Sequence, residues 1–590
     1  MIHNRFASLL RQNKHMQAAA QDQPSSITLL PEEQKLFTMF RTMVETEKLG
    51  TTVRVAGGWV RDKLLNKQGK QDIDVALDNM TGAQFAMKLS HWSLSQGGQA
   101  IQFGVIQQNP DKSKHLETAT AMLGKFEVDF VNLRTETYVN TSRIPDIEIG
   151  TPEEDARRRD LTINSLFFNV NTGQVEDFTG RGLHDLRLGL IQTPLLPLTT
   201  LQDDPLRALR AVRFSCRFNF DMAAELWEAC CHDSVREVLQ TKVSRERVFQ
   251  ELEQMLDNAA AARASYMLHS LLLLPMVLTL PSSPGMKLEN TDLSGRNPVK
   301  DGMAFHDYGL TTLLGVSLLE MWAVDTSIVE GVSGNAAGIP VRDLVLQFQC
   351  SNDYRPDRKL LNFAALCAHG TCWECANPQK KRKSMPLTDY LLQSELRMRG
   401  KDSESVAKLQ QAASQLKDLV REVAESTEGG AHILSRQRLG SLLRRAGPCY
   451  SQAMMLAVAE LVIEATGGGE FSALCGLVNG GVLRNGPDVM RMPRLELFRQ
   501  PQVQLVIGAA SRVACAVETM ALRGVWKNAP LLNGEAIKKL FPNVPKGPVF
   551  GEVRSEDPID MTKTFKNSKI NAIAPLFSVL LPPPRLWKSK

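Results

Sequence analysis

Two aspartates spaced one residue apart form the first candidate site in this chain. Asp72 and Asp74 belong to the run Asp72–Leu77, whose alternating apolar residues predict a β-strand. Residues i and i+2 of a strand share a face, so both carboxylates project together while Ile73 and Val75 face the core. The two charges repel each other, and a hard divalent cation such as Mg²⁺ would offset that repulsion. The alternative is a surface turn, in which Asp-x-Asp is also common.

A pair of glycines lies upstream of these aspartates. Gly57 and Gly58 follow a predicted strand over 51–56 and precede a predicted helix over 59–65. Glycines let backbone N–H groups approach a ligand closely, and a helix N-terminus favours an anion. Arg61 adds a forked donor for phosphate. A Gly-Gly pair alone is more often a tight turn, but beside two carboxylates it favours a phosphate cradle for two-metal chemistry.

A third carboxylate would complete such a site. The predicted strand over 126–133 offers Asp129, which alternates with Val128 and Phe130. Glu127 lies on the same face and is the second choice. The alternative is an edge strand with salt-bridged carboxylates.

A cluster of arginines precedes another predicted strand. Arg158, Arg159 and Asp160 come directly before the apolar run that predicts a strand over 163–170. Three consecutive arginines at 157–159 do not suit a core, and such a group can bind a triphosphate and a ribose hydroxyl. A solvated basic turn is the alternative.

A capped helix is predicted next. Asp203 suits an N-cap and Pro205 suits the first helical turn. Asp204 and Arg207 are three residues apart and therefore share a face. Together they offer an acceptor and a forked donor, which reading a base edge requires, and Arg210 is grouped with them as nucleotide-binding. The simpler alternative is a well-capped helix without this role.

The order of these motifs resembles that of the class II CCA-adding tRNA nucleotidyltransferases, with segments 109–119, 129–134 and 150–160 similar to the eukaryotic branch. Asp177-Phe178-x-Gly180 resembles the family's flexible spacer motif. Glu246-Arg247-x-x-x-Glu251 resembles its helix-bracing motif. The strong resemblance covers about residues 50–255, and residues 531–551 show a weaker one.

The resemblance implies addition of C, C and A to the 3′ end of tRNA from CTP and ATP, without a nucleic-acid template. It implies two Mg²⁺ ions held by Asp72 and Asp74, with Asp129 as the third acidic residue. The implied nucleotide contacts are Gly57, Gly58 and Arg61 for phosphates, Arg158, Arg159 and Asp160 for triphosphate and ribose, and Asp204 and Arg207 for the base. Two alternatives stay open: a poly(A) polymerase of the same superfamily, and a non-catalytic tRNA-binding or processing factor. The intact acidic residues argue against the second.

The fold class expected is α+β. A mixed α/β head of the nucleotidyltransferase (polymerase-β-like) type would occupy 31–195, followed by a helical neck over 196–280, a helical body over 281–428 and a helical, tRNA-binding tail over 429–590. Hydrophobic residues make up 43% of the chain and charged residues 23%, which excludes wholesale disorder. The net charge of +5 is compatible with a polyanionic partner without identifying one. No uninterrupted apolar run of about 18 residues is present, so no membrane partner is expected.

The N-terminal segment 1–30 predicts mitochondrial targeting, because its first acidic residue is Asp22 and its start carries arginines and an apolar stripe. A disordered basic tail is the alternative. Initiation at Met16 instead of Met1 would give an untargeted form for the cytoplasm and nucleus. The ten cysteines show no regular framework, which suits a reducing compartment.

Two further clusters have weaker functional interpretations. Cys367, His369, Cys372 and Cys375 have soft ligands for zinc, but no second Cys-x-x-Cys pair stands at finger spacing, and buried thiols are the favoured interpretation. The basic run 380–383 predicts a solvated loop, a tRNA backbone contact or a nuclear localisation signal.

Overall fold

The computed structural model describes residues 27–67, 72–106, 118–137, 146–258, 260–281, 289–290, 305–324, 357–368, 370, 373–378, 384–426, 433–466 and 500–527. Several sequence predictions lie outside these residues. They concern residues 1–26 of the targeting segment, most of 109–119, the run 380–383, His369, Cys372 and the segment 531–551.

The chain divides into two compact units after Leu280. The first unit takes in the described residues up to Leu280 together with Glu395–Met398. The second begins at Pro281. The predicted head and neck therefore share one compact unit, and the boundaries at 195 and 428 stay predictions.

The first unit is built on a mixed seven-stranded sheet of order β3-β4-β5-β2-β1-β8-β9. Its strands are β1 Val53–Ala56, β2 Asp72–Leu77, β3 Phe103–Ile106, β4 Thr118–Leu123, β5 Phe126–Asn132, β8 Phe167–Asn169 and β9 Gln174–Glu176, and a separate pair consists of β6 Arg134–Thr137 and β7 Asp146–Ile149. Strands β2 and β5 run parallel, and the other neighbours in the large sheet are antiparallel. The mixed α/β head expected from the sequence is confirmed.

One strand prediction was largely wrong. Residues Thr162–Asn164 form a 3₁₀ turn, and β8 begins only at Phe167. The Ser165 hydroxyl donates to the carbonyl of Leu161 (2.9 Å), and the Asn164 amide donates to Asp160 Oδ1 (3.0 Å). Such local side-chain bonds compete with a strand ladder, which explains the later start.

The head helices are α1 Pro31–Thr46, α2 Gly58–Leu64, α3 Gly82–Ser95, α4 Pro152–Arg157 and α5 Gly182–Leu188. Helix α3 begins where Thr81 accepts a hydrogen bond from the backbone N–H of Gln84 (3.2 Å), as an N-cap should. Phe40 of α1 lies against Phe85 of α3 and Phe130 of β5, with ring centroids 6.0 and 5.9 Å away. These fully buried rings fix the helices on the sheet face opposite its carboxylates.

A helical segment follows within the same unit. Its helices are α6 Pro197–Asp203, α7 Leu206–Phe218, α8 Ala224–Cys230, α9 Asp233–Lys242, α10 Arg245–Leu256, α11 Ala261–Ser270 and α12 Leu274–Val277, with the two-residue strands β10 Leu190–Ile191 and β11 Asp221–Met222. The predicted N-cap at Asp203 was wrong, because Asp203 ends α6. The Asp204 carboxylate accepts instead from the N–H of Leu206 (3.3 Å). Pro205 occupies the N-cap position of α7. Asp204, directly before it, has an extended backbone conformation, which ends helix α6.

The second unit is mostly helical in its described part. Its elements are α13 Phe305–Val324, α14 Arg358–Leu366, α15 Leu387–Asp389, the π-helical segment Tyr390–Glu395, α16 Gly400–Glu425, α17 Arg436–Ala446, α18 Tyr450–Ala465 and α19 Pro501–Thr519, with strands β12 Glu289–Asn290, β13 Trp373–Ala376 and β14 Ser384–Pro386. The buried Lys417 ammonium on α16 contacts Glu460 on α18 (2.6 Å), and this pair satisfies both charges inside the helical core.

One helical stretch of the described residues is long and apolar enough to cross a membrane, Arg436–Ala465. Its 18-residue window has a mean hydropathy of 1.3, and 72% of that window is buried inside the protein. Buried helices of a protein core satisfy the same criteria, so this stretch is weak evidence for a membrane span.

Candidate active site

The predicted carboxylates meet where β2 and β5 run side by side. In the register of this parallel pair, Asp74 lies opposite Asp129 and Asp72 lies opposite Glu127. Neighbouring strands are about 4.8 Å apart, so opposed residues of one face are adjacent. Asp72 and Asp74 are exposed while Ile73 is buried, as the alternation predicts. The structure therefore places the acidic residues named from the sequence on one face of the sheet.

Asp129 is held by a residue that the sequence did not single out. Thr120 of β4 lies opposite Asp129, and its hydroxyl donates to Asp129 Oδ1 at 2.5 Å. This bond fixes one carboxylate oxygen. Glu127, the second choice, is exposed and lies beside Asp72 instead of Asp74.

The electrostatics of Asp74 are those of a carboxyl in an acidic recess. The pKa of Asp74 is raised above its ordinary value, chiefly because surrounding protein atoms desolvate the carboxyl, and secondarily because Asp129 and Asp72 add like charge. Arg159 acts in the opposite direction. A side chain can be open to solvent on one side and still be surrounded by protein on the others, which reconciles this desolvation with its exposure.

The donor set fits a hard divalent cation. Three neighbouring side chains on this face, Asp72 on the same strand, Asp129 opposite Asp74 and Glu127 opposite Asp72, offer carboxylate oxygens, which Mg²⁺ prefers. The like charge of Asp129 and Asp72 also contributes, after desolvation, to the raised pKa of Asp74. No group of three or more His, Cys, Asp or Glu side chains already converges on a metal position in the part of the chain that the structure describes. Coordination would therefore require these side chains to rotate toward a shared point.

The glycine turn lies against the arginine segment. Gly57 has φ +69°, and a Cβ there would lie 2.9 Å from Arg159 Nη1. A side chain at this position would thus be strained and would displace the guanidinium. The Gly57 N–H donates to the carbonyl of Leu166 (2.9 Å), so it is used within the fold. Gly58 is the first residue of α2, as the sequence predicts.

Arg61 is a buried residue in this structure. Its Nε donates to Asp62 Oδ1 (2.8 Å), its Nη1 donates to Asn164, and its guanidinium lies 4.6 Å from the ring centroid of Phe218. Burial is the first cause that lowers its pKa, and Asp62 acts against this shift. A phosphate contact by Arg61 stays a prediction, because it would require the guanidinium to leave buried partners.

Both predicted triphosphate arginines are held by one buried carboxylate. Asp155 is 1% exposed. Its Oδ1 accepts from Nε and Nη2 of Arg158 (2.9 and 2.5 Å), and its Oδ2 accepts from Nε and Nη2 of Arg159 (3.0 and 2.8 Å). The backbone N–H of Arg134 also donates to Oδ1 (3.2 Å). Burial works to raise the pKa of Asp155, but Arg159 and Arg158 outweigh it and the pKa is lowered.

Asp160 connects the head to helix α7. Its Oδ1 accepts from Asn164 Nδ2, and its Oδ2 accepts from Arg210 Nε (2.6 Å). Burial works to raise the pKa of Asp160, but Arg210 and Asn164 outweigh it, so the pKa lies below its ordinary value. Glu251 of α10 in turn lies 3.6 Å from Arg210 and accepts from Arg213 (2.6 Å). Arg210, which the sequence groups with the nucleotide-binding residues, therefore contacts a protein carboxylate through Nε and another through Nη1.

The predicted base-reading pair has separate partners. Arg207 donates from Nη2 to the carbonyl of Arg158 (2.8 Å), which brings the start of α7 next to the arginine segment. Asp204 Oδ2 accepts from Arg247 Nη2 at 3.3 Å. Arg247 is half exposed, at 50%, so this ion pair faces solvent and is easily exchanged.

Sequence reasoning missed Thr120, Asp155 and Asn164 as members of this site. Only Asp155 carried a signal, as an acid three and four residues before two arginines, which is the spacing at which side chains meet on a helix. Thr120 acts through strand pairing and Asn164 through its bond to the distant Arg61, and neither contact has a local signature. Cys367 and Cys375 of the candidate zinc cluster are described, and burial raises their pKa to about 12 and about 11, which keeps these thiols protonated.

Comparisons with known proteins agree with this geometry. Residues 53–192 match the model of the Poly A polymerase head domain. The mitochondrial CCA tRNA nucleotidyltransferase of Saccharomyces cerevisiae is 50% identical over 209 residues, which is 35% of this chain and 38% of the relative. Poly(A) polymerase I of Salmonella typhi is 31% identical over 209 residues, 34% of this chain and 43% of the relative. The match thus spans about two fifths of each relative.

A solved structure extends the likeness of the fold. The Thermotoga maritima CCA-adding enzyme complexed with tRNA superposes with a TM-score of 0.50 at 16% identity, covering 93% of this chain and 96% of that one. At that identity the likeness concerns the fold alone. The head is therefore similar in sequence to both groups of polymerases, and the succession of a head sheet and many helices is similar in architecture to the bacterial enzyme.

Proposed function

We propose that this chain adds C, C and A to the 3′ end of tRNA, using CTP and ATP. The observation that carries the proposal is the row of Asp72, Asp74 and Asp129 on one sheet face, beside Gly57 and Arg159. It lies within residues 53–192, which match the Poly A polymerase head domain, and the yeast CCA tRNA nucleotidyltransferase at 50% identity is more similar to this chain than the bacterial poly(A) polymerase at 31%.

Divalent metal ions are general in this nucleotidyltransferase family, and we assign two Mg²⁺ to Asp72 and Asp74 with Asp129 as a further ligand. Bound there, the ions would activate the primer 3′-OH and neutralise the triphosphate. The 3′ oxygen would attack the α-phosphorus, the bond to pyrophosphate would break, and the hydroxyl proton would pass to solvent.

The protein's own residues bind and orient the nucleotide in this proposal. Arg158 and Arg159 bind the triphosphate, and the buried Asp155 carboxylate fixes the orientation of both guanidinium groups. Thr120 restrains Asp129 through its hydrogen bond to one carboxylate oxygen. Fixed positions matter because effective molarities fall steeply when reacting groups are misplaced by about 1 Å.

Base choice is assigned to the start of α7. The Asp204 carboxylate can accept from the exocyclic amines of cytosine and adenine, and it repels the carbonyl oxygens that uracil and guanine present instead. Arg207 donates to a ring nitrogen. In the structure Arg247 holds Asp204 at the surface, so an incoming base would share or replace that ion pair.

The compartment assigned first is the mitochondrion, because the yeast relative carries that name and residues 1–30 have the composition of a targeting segment. A form starting at Met16 would serve the cytoplasm and nucleus. Reporter fusions of residues 1–30 and 16–30 separate the two forms, since only the first should enter mitochondria.

The decisive experiment uses purified chain, tRNA that lacks its 3′ end, and single NTPs or their mixture, with products resolved to one nucleotide. Growth by C, C and A and then arrest supports the proposal. Unlimited growth with ATP alone would identify a poly(A) polymerase instead. RNA binding without any extension would identify a non-catalytic factor.

A further inference from the structure

A basic cluster lies near the C-terminal ends of helices α2 and α7. Helix α2 begins at Gly58, next to the glycine turn that lies against Arg159, and Lys67 comes three residues after its last residue, Leu64. At 1.5 Å per residue, the seven residues of α2 span about 10 Å. Helix α7 likewise places Arg217 ten residues, or about 15 Å, beyond Arg207. The far ends of both helices therefore meet at the ring of Phe218.

Three cations gather there around one aromatic ring. The ammonium of Lys67 and the guanidinium groups of Arg61 and Arg217 lie 4.6, 4.6 and 5.1 Å from the ring centroid of Phe218. The buried ring presents a negative face to each cation but carries no net charge. The positive charge of these three side chains therefore requires an anion.

Among the described residues, Asp62 is the carboxylate that forms ion pairs with these cations, and it pairs with two of the three. Asp62 accepts from Arg61 and lies 3.4 Å from Arg217 Nη2, and in the part of the chain that the structure describes Lys67 has no ion pair. Desolvation is the first cause that lowers the pKa of Lys67, and the like charge of Arg217 is the second. Lys67 and Arg217 are both exposed, so an anion can reach them from solvent.

We propose that Lys67 and Arg217 form a binding site for a backbone phosphate of the RNA substrate, separate from the site of the reacting triphosphate. The inference rests on the proposed function for the identity of the RNA. A phosphate would complete the charge balance that Asp62 leaves open. Lys67 lies beyond the far end of α2, whose length is about 10 Å, and this separation from the glycine turn favours a second nucleotide of the RNA over the incoming NTP.

A structural role for the same residues has to be distinguished. Cations at helix C-termini interact favourably with the helix dipole, with a contribution of about 0.3–1 kcal/mol each. Lys67 and Arg217 lie at or beyond such ends. If that were their whole role, their removal would lower thermal stability and leave RNA affinity unchanged.

The test measures tRNA affinity of the full chain without nucleotide, from 50 to 200 mM salt, for Lys67→Gln, Arg217→Gln and the double variant. Each lost phosphate contact should reduce the magnitude of the slope of log K against log salt by about one unit. The double variant should bind several-fold more weakly at the lower salt, with an unchanged KM for CTP. Lys67→Arg, which keeps the charge, should retain affinity.

Lys125→Gln is the matched control, because Lys125 is another exposed head lysine, paired with Glu32 at 3.7 Å. It should leave affinity and salt slope as in the wild type. Unchanged tRNA affinity in the double variant would overturn the inference, whether stability falls or not. A raised KM for CTP with unchanged tRNA affinity would also overturn it and assign the cluster to the nucleotide. A wild type that binds tRNA but never extends it would refute the proposed function alone.

Discussion

Replacing Asp155 by Asn should show whether this carboxylate orients Arg158 and Arg159 for nucleotide binding or only stabilises the fold. The Asp155 carboxylate is 1% exposed and accepts four guanidinium N–H bonds from Arg158 and Arg159. Asn keeps the shape but removes the charge, and it turns an N–H₂ group toward donors. Breaking a buried ion pair costs about 3–5 kcal/mol. The arginine side chains are 16% and 19% exposed and can partly turn to water, so we expect about 2–3 kcal/mol.

Two measurements check this variant. At about 2–4 °C per kcal/mol for a unit of this size, the melting temperature should fall by about 4–12 °C. The KM for both CTP and ATP should rise at least about tenfold, which corresponds to ~1.4 kcal/mol, because the arginines no longer hold one orientation. The affinity for tRNA should change little.

Asp185→Asn supplies the matched control. Asp185 is also fully buried in the first unit, where it accepts a hydrogen bond from the hydroxyl of Thr162 (2.7 Å). It pairs with Arg181 and not with Arg158 or Arg159. It should lower stability without a change in the KM for nucleotides. If Asp155→Asn lowered the melting temperature and kept the wild-type KM, Asp155 would only stabilise the fold around α4. The assignment of Arg158 and Arg159 to the triphosphate would then lose its support.

The remaining predictions concern the carboxylates and the base. Asp72→Ala or Asp74→Ala should lower nucleotide addition by several orders of magnitude with nearly intact tRNA affinity, and a variant that kept a tenth of the rate would exclude the metal assignment. Asp204→Ala and Arg207→Ala should lower discrimination against U and G by about 1–3 kcal/mol, measured as single-nucleotide incorporation, whereas a capping role alone would lower only the melting temperature. The lowered pKa of Asp160 means that its contribution to stability is present above the unfolded-state value near 3.9 and is lost as the pH falls through the folded-state pKa, so melts in acid should show a loss that Asp160→Asn lacks.

The positions of the acidic residues could be predicted because they follow from local rules. Alternation along a strand places Asp72 and Asp74 on one face whatever the partner strand is. The pairing of β2 with β5 then adds Asp129, and its parallel register sets Asp74, not Asp72, beside it. That register depends on the whole sheet, so sequence reasoning named the three residues without their order.

The boundaries near the arginines could not be predicted for a different reason. Side chains there make bonds that the apolar pattern does not encode. Ser165 and Asn164 bond to their own segment and delay β8. Asp204, and not its neighbour Asp203, accepts the hydrogen bond from Leu206 at the start of α7, although the two residues are of the same type. A choice between adjacent aspartates depends on where α6 ends, which tertiary contacts decide.

A continuous series of hydrogen bonds and ion pairs keeps the glycine turn and the start of α7 at a fixed distance from each other. Arg61 bonds Asn164, Asn164 bonds Asp160, Asp160 accepts from Arg210, and Arg210 lies beside Glu251. Four of the five are buried, so α7 cannot slide past the glycine turn without leaving charges unpaired in a poorly solvated place. Selection of a nucleotide without a nucleic-acid template requires that rigidity, because the protein must present the base-reading residues at a constant distance from the phosphates. The proposed chemistry thus depends on contacts between protein groups as well as on contacts with the nucleotide.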